Sequence, residues 1–149
     1  VGIYFATISG KIFGDLLNMR LSRTLGRLRS LQLGYFGAAA CTITLAMPGV
    51  SAALLVISAF CQGLFADIIW CNIYMYLTER FPTTIRSTGF GVSMGIGRAG
   101  GVLSSALGGV LPSKHIAFVA FGTAFAVGGV AALCPRVETA RRQLHDSTA

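Results

Sequence analysis

Four ionisable residues sit inside otherwise apolar stretches: Lys11, Asp15, Asp67 and Arg98. An ionised side chain at the centre of a bilayer costs at least ~2.5–3.5 kcal/mol, so such residues turn toward a cavity or a partner. Arg98 can take the anionic group of a solute, and Asp67 can hold a proton or a cation. A structural Asp67–Arg98 ion pair that no solute touches is the plain alternative. Asp67 shares a helical face with Trp70 and Tyr74, at offsets of 3 and 7, which brings both aromatics into the candidate binding set. Lys11 and Asp15 are four apart and can neutralise each other, or can snorkel to the interface from a low position in their helix. They belong to a polar stripe, Tyr4, Thr7, Lys11, Asp15 and Asn18, that occupies one narrow sector of a helix.

Nothing in the chain points to catalysis. There is no Ser/His/Asp set or phosphate loop, and His115 and His145 stand alone. The four cysteines, Cys41, Cys61, Cys71 and Cys134, fall in apolar segments without a C-x-x-C pair and read as small packing residues. No metal and no cofactor are expected. Residues 95–100 fit G-x-G-x-x-G, but they lie inside an apolar helix with no strand before them, so dinucleotide binding is rejected. Gly91 with Gly95, and Gly97 with Gly101, read instead as small-xxx-small pairs that let another helix approach.

The elements that must carry these residues follow from composition. Of 149 residues 54% are hydrophobic and 11% charged, and the mean hydropathy is +0.71. No Asp, Glu, Lys or Arg occurs from residue 31 to residue 66. A water-soluble domain of this size could not hide so much apolar surface, and disorder is excluded by the same numbers. An all-α membrane protein is expected, with five spans at about 1–21, 31–47, 52–77, 88–111 and 116–134 and a tail at 135–149. Pro48-Gly49 splits the long uncharged run, and Pro112 and Pro135 mark further ends. The chain opens on Val1, and its first apolar segment looks cut at the outer end, so it reads as a piece of something larger.

The net charge of +7 is distributed by gap. Arg20, Arg23, Arg27, Arg29, Arg80, Arg86, Arg136, Arg141 and Arg142 fall on one side of alternating helices, and Lys114 alone falls on the other. This asymmetry predicts that the arginine-rich gaps and the C-terminus are cytoplasmic. It argues against nucleic acid, because the basic residues do not line one face. Asp67 lies ten residues before the cytoplasmic end of its span and Arg98 ten after the start of its own, so both are about 15 Å from the inner surface. The second and fifth spans carry no internal charge, which predicts that they face lipid.

Three stretches resemble the C-terminal half of a major facilitator superfamily transporter. Residues 14–27, GDLLNMRLSRTLGR, resemble the loop between helices 8 and 9. Gly26 and Arg27 fit the usual D-[RK]-x-G-R ending, whereas Arg23 and Thr24 stand where an acid and a base are usual. Residues 76–91, YLTERFPTTIRSTGFG, with Arg98-Ala99-Gly100 beyond them, are similar to the Y-x-x-E-x-[FY]-P-T-x-x-R-x-x-G-x-G signature and its later R-x-G. Residues 135–139, PRVET, resemble the P-x-E-T after helix 12. The resemblance implies helices 8 to 12 of a 12-helix bundle, with helices 8, 10 and 11 toward a central cavity and 9 and 12 outside. It implies secondary active or facilitative transport of a small organic solute by alternating access, with Glu79, Arg27 and Arg86 as a cytoplasmic gate. The implied partners are the lipid bilayer, the solute, protons as a candidate coupling ion, and the N-terminal half of the same protein. The region before Trp70 lacks the Pro and Gly of sugar porters, so an organic ion is expected over a sugar. A non-transporting relative with a binding or structural role is the alternative. Plasma and vesicle membranes fit equally.

Overall fold

The computed structural model describes residues 2–134; the tail at 135–149, with its three arginines, His145 and the PRVET stretch, lies outside them. Five helices follow one another: α1 (Gly2–Thr24), α2 (Arg27–Ala46), α3 (Ala52–Arg80), α4 (Arg86–Val110) and α5 (Lys114–Ala131). No strand occurs among the described residues. The helices coincide with the five expected segments but run past several of their edges. Apolar character stops at a membrane surface, whereas the backbone goes on bonding through good helix formers such as Arg20, Arg27 and Arg29.

The breaks have local causes. Gly26 separates α1 from α2 at φ 89°, and Gly49 turns the chain at φ 80° behind Pro48. Both conformations favour glycine. Ser51 caps α3 by accepting from the Leu54 amide at 3.4 Å, and Ser113 caps α5 by accepting from the Ile116 amide at 3.3 Å. Pro82 cannot continue α3, which closes at Phe81.

α3 is the axis of the arrangement. α1 and α2 flank it, and α5 packs on α2. Leu31, Ala38, Ile69 and Ala132 form the buried core between α2, α3 and α5, with Tyr35, Phe65, Ile73 and Phe125 against it. α2 was expected on the lipid side. It buries one flank on α3 and another on α5, and keeps an exposed stripe, Arg29, Leu33, Phe36, Ala40 and Ile43, for the surroundings. α5 is mostly exposed and buries only Gly122 and Gly129 along its helix. α4 has no buried residue and makes its principal helix contact with α3.

By length and composition two helices, α3 and α5, are apolar enough to cross a membrane. α1, α2 and α4, of 23, 20 and 25 residues, have the length, but Gly, Ser, Thr and basic residues dilute their apolar character.

Candidate functional site

The buried residues of α1 are Ala6, Gly10, Gly14, Asn18 and Ser22, one every fourth position. All are small, so they form a shallow groove that admits α3 at backbone distance. A methyl group on Gly10 would strike the Phe60 carbonyl oxygen, and one on Gly63 would strike the Thr7 carbonyl. One on Gly14 would stand 2.6 Å from the Leu64 carbonyl oxygen. This seam fixes the polar groups of both helices against one another.

At the exposed edge of the seam, the Cys71 thiol donates to Asp15 Oδ1 at 3.1 Å, with Asp67 Oδ2 at 4.0 Å. The ligand atoms of Asp15, Asp67 and Cys71 lie within 4.8 Å of one another. Two carboxylates and a thiol this close can share a proton or contact a cation. Lys11 stands one helical turn before Asp15 on α1. Among the described residues neither carboxylate forms an ion pair with Lys11 or Arg98. Asp67 turns to α1, its Cβ 3.2 Å from where a Cβ on Gly14 would stand, whereas Arg98 is exposed on α4. Equal depth does not by itself join two side chains; their helix faces must also meet.

Deeper in the seam, Asn72 Nδ2 donates to Asn18 Oδ1 at 2.6 Å and to the Ile68 carbonyl at 2.8 Å. Both asparagines are buried. On α3 the Trp70 and Tyr74 rings also stack, at 5.8 Å, and Tyr74 meets Phe90 of α4 at 5.8 Å. These rings tie α3 to the start of α4. Beyond them a cavity of about 1080 Å³ opens between α4 and the other helices, with Trp70, Gly97, Gly100 and Gly101 among its lining residues.

At the arginine-rich end Arg27 binds Glu79, with Nη2 3.0 Å and Nε 3.3 Å from Oε1, and Arg27 also donates to Ser22. Arg86 takes another partner, donating from Nε to the Phe81 carbonyl at 3.2 Å. The Arg27–Glu79 pair puts the first and third gaps at one end of the bundle. His115 Nδ1, 2.6 Å from the Ala46 carbonyl oxygen, puts the second and fourth gaps at the other end, with Lys114.

Gly91, Gly95, Gly97 and Gly101 meet no atom within 4 Å of where a Cβ would stand, so no helix among the described residues fills the faces they offer. Sequence reasoning singled out these four and passed over Gly10, Gly14 and Gly63, where the close approach occurs. The four-residue spacing of small residues from Ala6 to Ser22 was the available signal. It also missed Phe90, Asn72 and the place of Cys71 beside two carboxylates; the i,i+4 relation of Asp67 and Cys71 was visible, but the third member comes from another helix.

The sequence model of the Major Facilitator Superfamily matches residues 1–148. The chain belongs to that superfamily. Membership makes it a membrane protein with several spans. Among the proteins it is similar to, the cis,cis-muconate transport protein of Acinetobacter baylyi is 33% identical over 136 residues, 87% of this chain and 31% of that protein. The organic cation/carnitine transporter 7 of Arabidopsis thaliana is 36% identical over 78 residues, 50% of this chain and 16% of its own length. NiaP of Bacillus subtilis, named for niacin/nicotinamide transport, is 38% identical over 58 residues, 39% and 14% of the two chains. The chain thus spans less than a third of the length of these curated relatives.

Proposed function

We propose that this chain is part of a transporter that moves a small organic ion across a membrane by alternating access. The observation that carries the reading is the superfamily match over residues 1–148, with relatives named for transport. The names of those relatives, for muconate, niacin and carnitine, support an organic ion rather than a sugar. The ionisable groups of α1, α3 and α4 are the candidates for contact with it. Arg98 binds an anionic group of the solute. Asp67, beside Asp15 and Cys71, carries the coupling proton or a cation. Trp70 and Tyr74 flank the path, and Lys11 sets the local charge. Gly91, Gly95, Gly97 and Gly101 let α4 take a further helix of the same protein or bend during the cycle.

The arginine-rich end is cytoplasmic in this reading, and so is the C-terminus. Glu79 holds Arg27 in one state and releases it in another, with Arg86 as the second basic group of the gate. Sites of this kind form between two halves of a transporter, near the midplane, so this chain supplies one wall.

The test is uptake by the full-length protein in proteoliposomes, against a panel of organic anions, cations and sugars, with and without a proton gradient. Arg98→Ala is expected to abolish uptake while the protein still reaches the surface. Normal uptake by that variant would remove Arg98 from the mechanism. Uptake confined to sugars would overturn the organic-ion reading.

A further inference from the structure

α2 and α3 pack antiparallel, and the glycines of α2 fix their register. A Cβ on Gly37 would stand 2.7 Å from the Phe65 ring, and one on Gly34 would stand 2.9 Å from Ile69 and 3.4 Å from Ile68. One turn beyond Gly37 on α2 comes Cys41, and one turn before Phe65 on α3 comes Cys61. The register that sets Gly37 on Phe65 therefore sets Cys41 on Cys61, and the two thiols are neighbours. Both are free and half-buried. The other two thiols stand elsewhere: Cys71 donates to Asp15, and Cys134 is exposed beyond the end of α5.

Small size explains a cysteine at either position of a close helix pair. Two of them face to face add a chemistry that neither has alone. Oxidation to a disulfide proceeds through the thiolate, which apolar surroundings disfavour, and it demands sulfurs about 2.05 Å apart. A neutral reagent whose soft atom takes two sulfurs meets neither obstacle. It partitions into apolar surroundings, and its central atom spans the gap between thiols that are neighbours without being bonded. We propose that Cys41 and Cys61 form a dithiol site for a neutral trivalent arsenical. In the condensation two As–S bonds replace the As=O bond, both thiol protons leave with that oxygen as water, and nothing is oxidised or reduced. The product ties α2 to α3. The pair lies wholly on two helices that already pack together, so the site needs no other part of the protein and does not depend on which solute is carried.

Phenylarsine oxide is the probe. It is added to the purified full-length protein in detergent, with excess 2-mercaptoethanol to release arsenic held by a single sulfur. Arsenic per chain is then counted by elemental mass spectrometry after gel filtration. Cys41→Ser and Cys61→Ser are each expected to lose one arsenic per chain, and the double variant to lose no more than either alone. Cys71→Ser and Cys134→Ser should keep it. Because the second bond forms within one molecule, each of the first two variants should need at least about tenfold more reagent for the same loading. A second measurement is independent of how the variants fold. The mass of the unsubstituted protein should rise by one phenylarsenic group less two hydrogens for the bridged pair, and peptide mapping should find that bridge between residues 41 and 61. Arsenic content indifferent to Cys41→Ser or to Cys61→Ser, or a bridge found only between other cysteines, overturns the proposal.

Discussion

Along α1, Gly10 and Gly14 lie against the backbone of α3; along α4, Gly91, Gly95, Gly97 and Gly101 meet nothing within 4 Å. The spacing of small residues is alike in the two regions, and the outcome is opposite. A glycine pair supplies a groove and no attraction of its own. The seam closes because α3 brings a groove to match, at Gly63, and a buried amide, Asn72, that bonds Asn18. α4 brings no such partner: Gly97 and Gly101 border the cavity, and none of its four glycines meets another helix. The charged helices α1, α3 and α4 are joined through α3, while α2 packs between α3 and α5.

The sharpest way to break this contrast is to add bulk on both sides. Gly10→Leu is expected to prevent folding, because the atom it strikes is backbone and cannot step aside. The penalty exceeds the ~1–3 kcal/mol of ordinary overpacking. Gly97→Leu should leave thermal stability within about 0.5 kcal/mol and act on uptake alone. Thermal unfolding followed by size-exclusion chromatography reads both; equal melting losses in the two variants would show that α4 is as tightly packed as α1.

A smaller effect sharpens the account of the seam. Asn18→Leu leaves the buried Asn72 amide with only its Ile68 carbonyl partner and should cost ~1–2 kcal/mol. Adding Asn72→Leu should recover much of that loss, since the two apolar groups then need no partner. Additive losses in the same unfolding assay would mean that the amides do not act as a pair. The smallest effect is expected at the arginine-rich end. The side chains of Arg27 and Glu79 keep 21% and 27% of their exposure, so Glu79→Gln should change stability by less than ~1 kcal/mol. If the pair is a gate, uptake changes well beyond that; matching small changes in both would reduce it to a surface contact.

What could be read from the residues divides along a physical line. Pro48-Gly49, Pro82 and Pro112 mark ends because they alter the backbone itself, and the long uncharged run needs no neighbour to be recognised. Distance from a helix end is also legible, since it is a count of residues at fixed rise. The direction a side chain takes around its helix, relative to other helices, is not. Asp67 and Arg98 lie at similar distances from the arginine-rich ends of their helices, yet Asp67 turns to Gly14, Asp15 and Cys71. Arg86 was grouped with Glu79 by charge and binds the Phe81 carbonyl instead, five residues away in its own turn. Helix ends drifted for a related reason: hydropathy reports the solvent, and hydrogen bonding reports the backbone.

Two bonds between α2 and α5 bear on motion. Gln32 Nε2 donates to the Ala132 carbonyl at 3.0 Å, and His115 meets the Ala46 carbonyl near the opposite ends of the same two helices. Both acceptors are main-chain oxygens, fixed to the helix ends and unable to follow a moving side chain. Sliding α2 past α5 by a single turn, ~5.4 Å, would break both fastenings at once. The two helices therefore travel as one strut, and any rearrangement that opens a passage has to be taken up elsewhere, in the loosely seated α4.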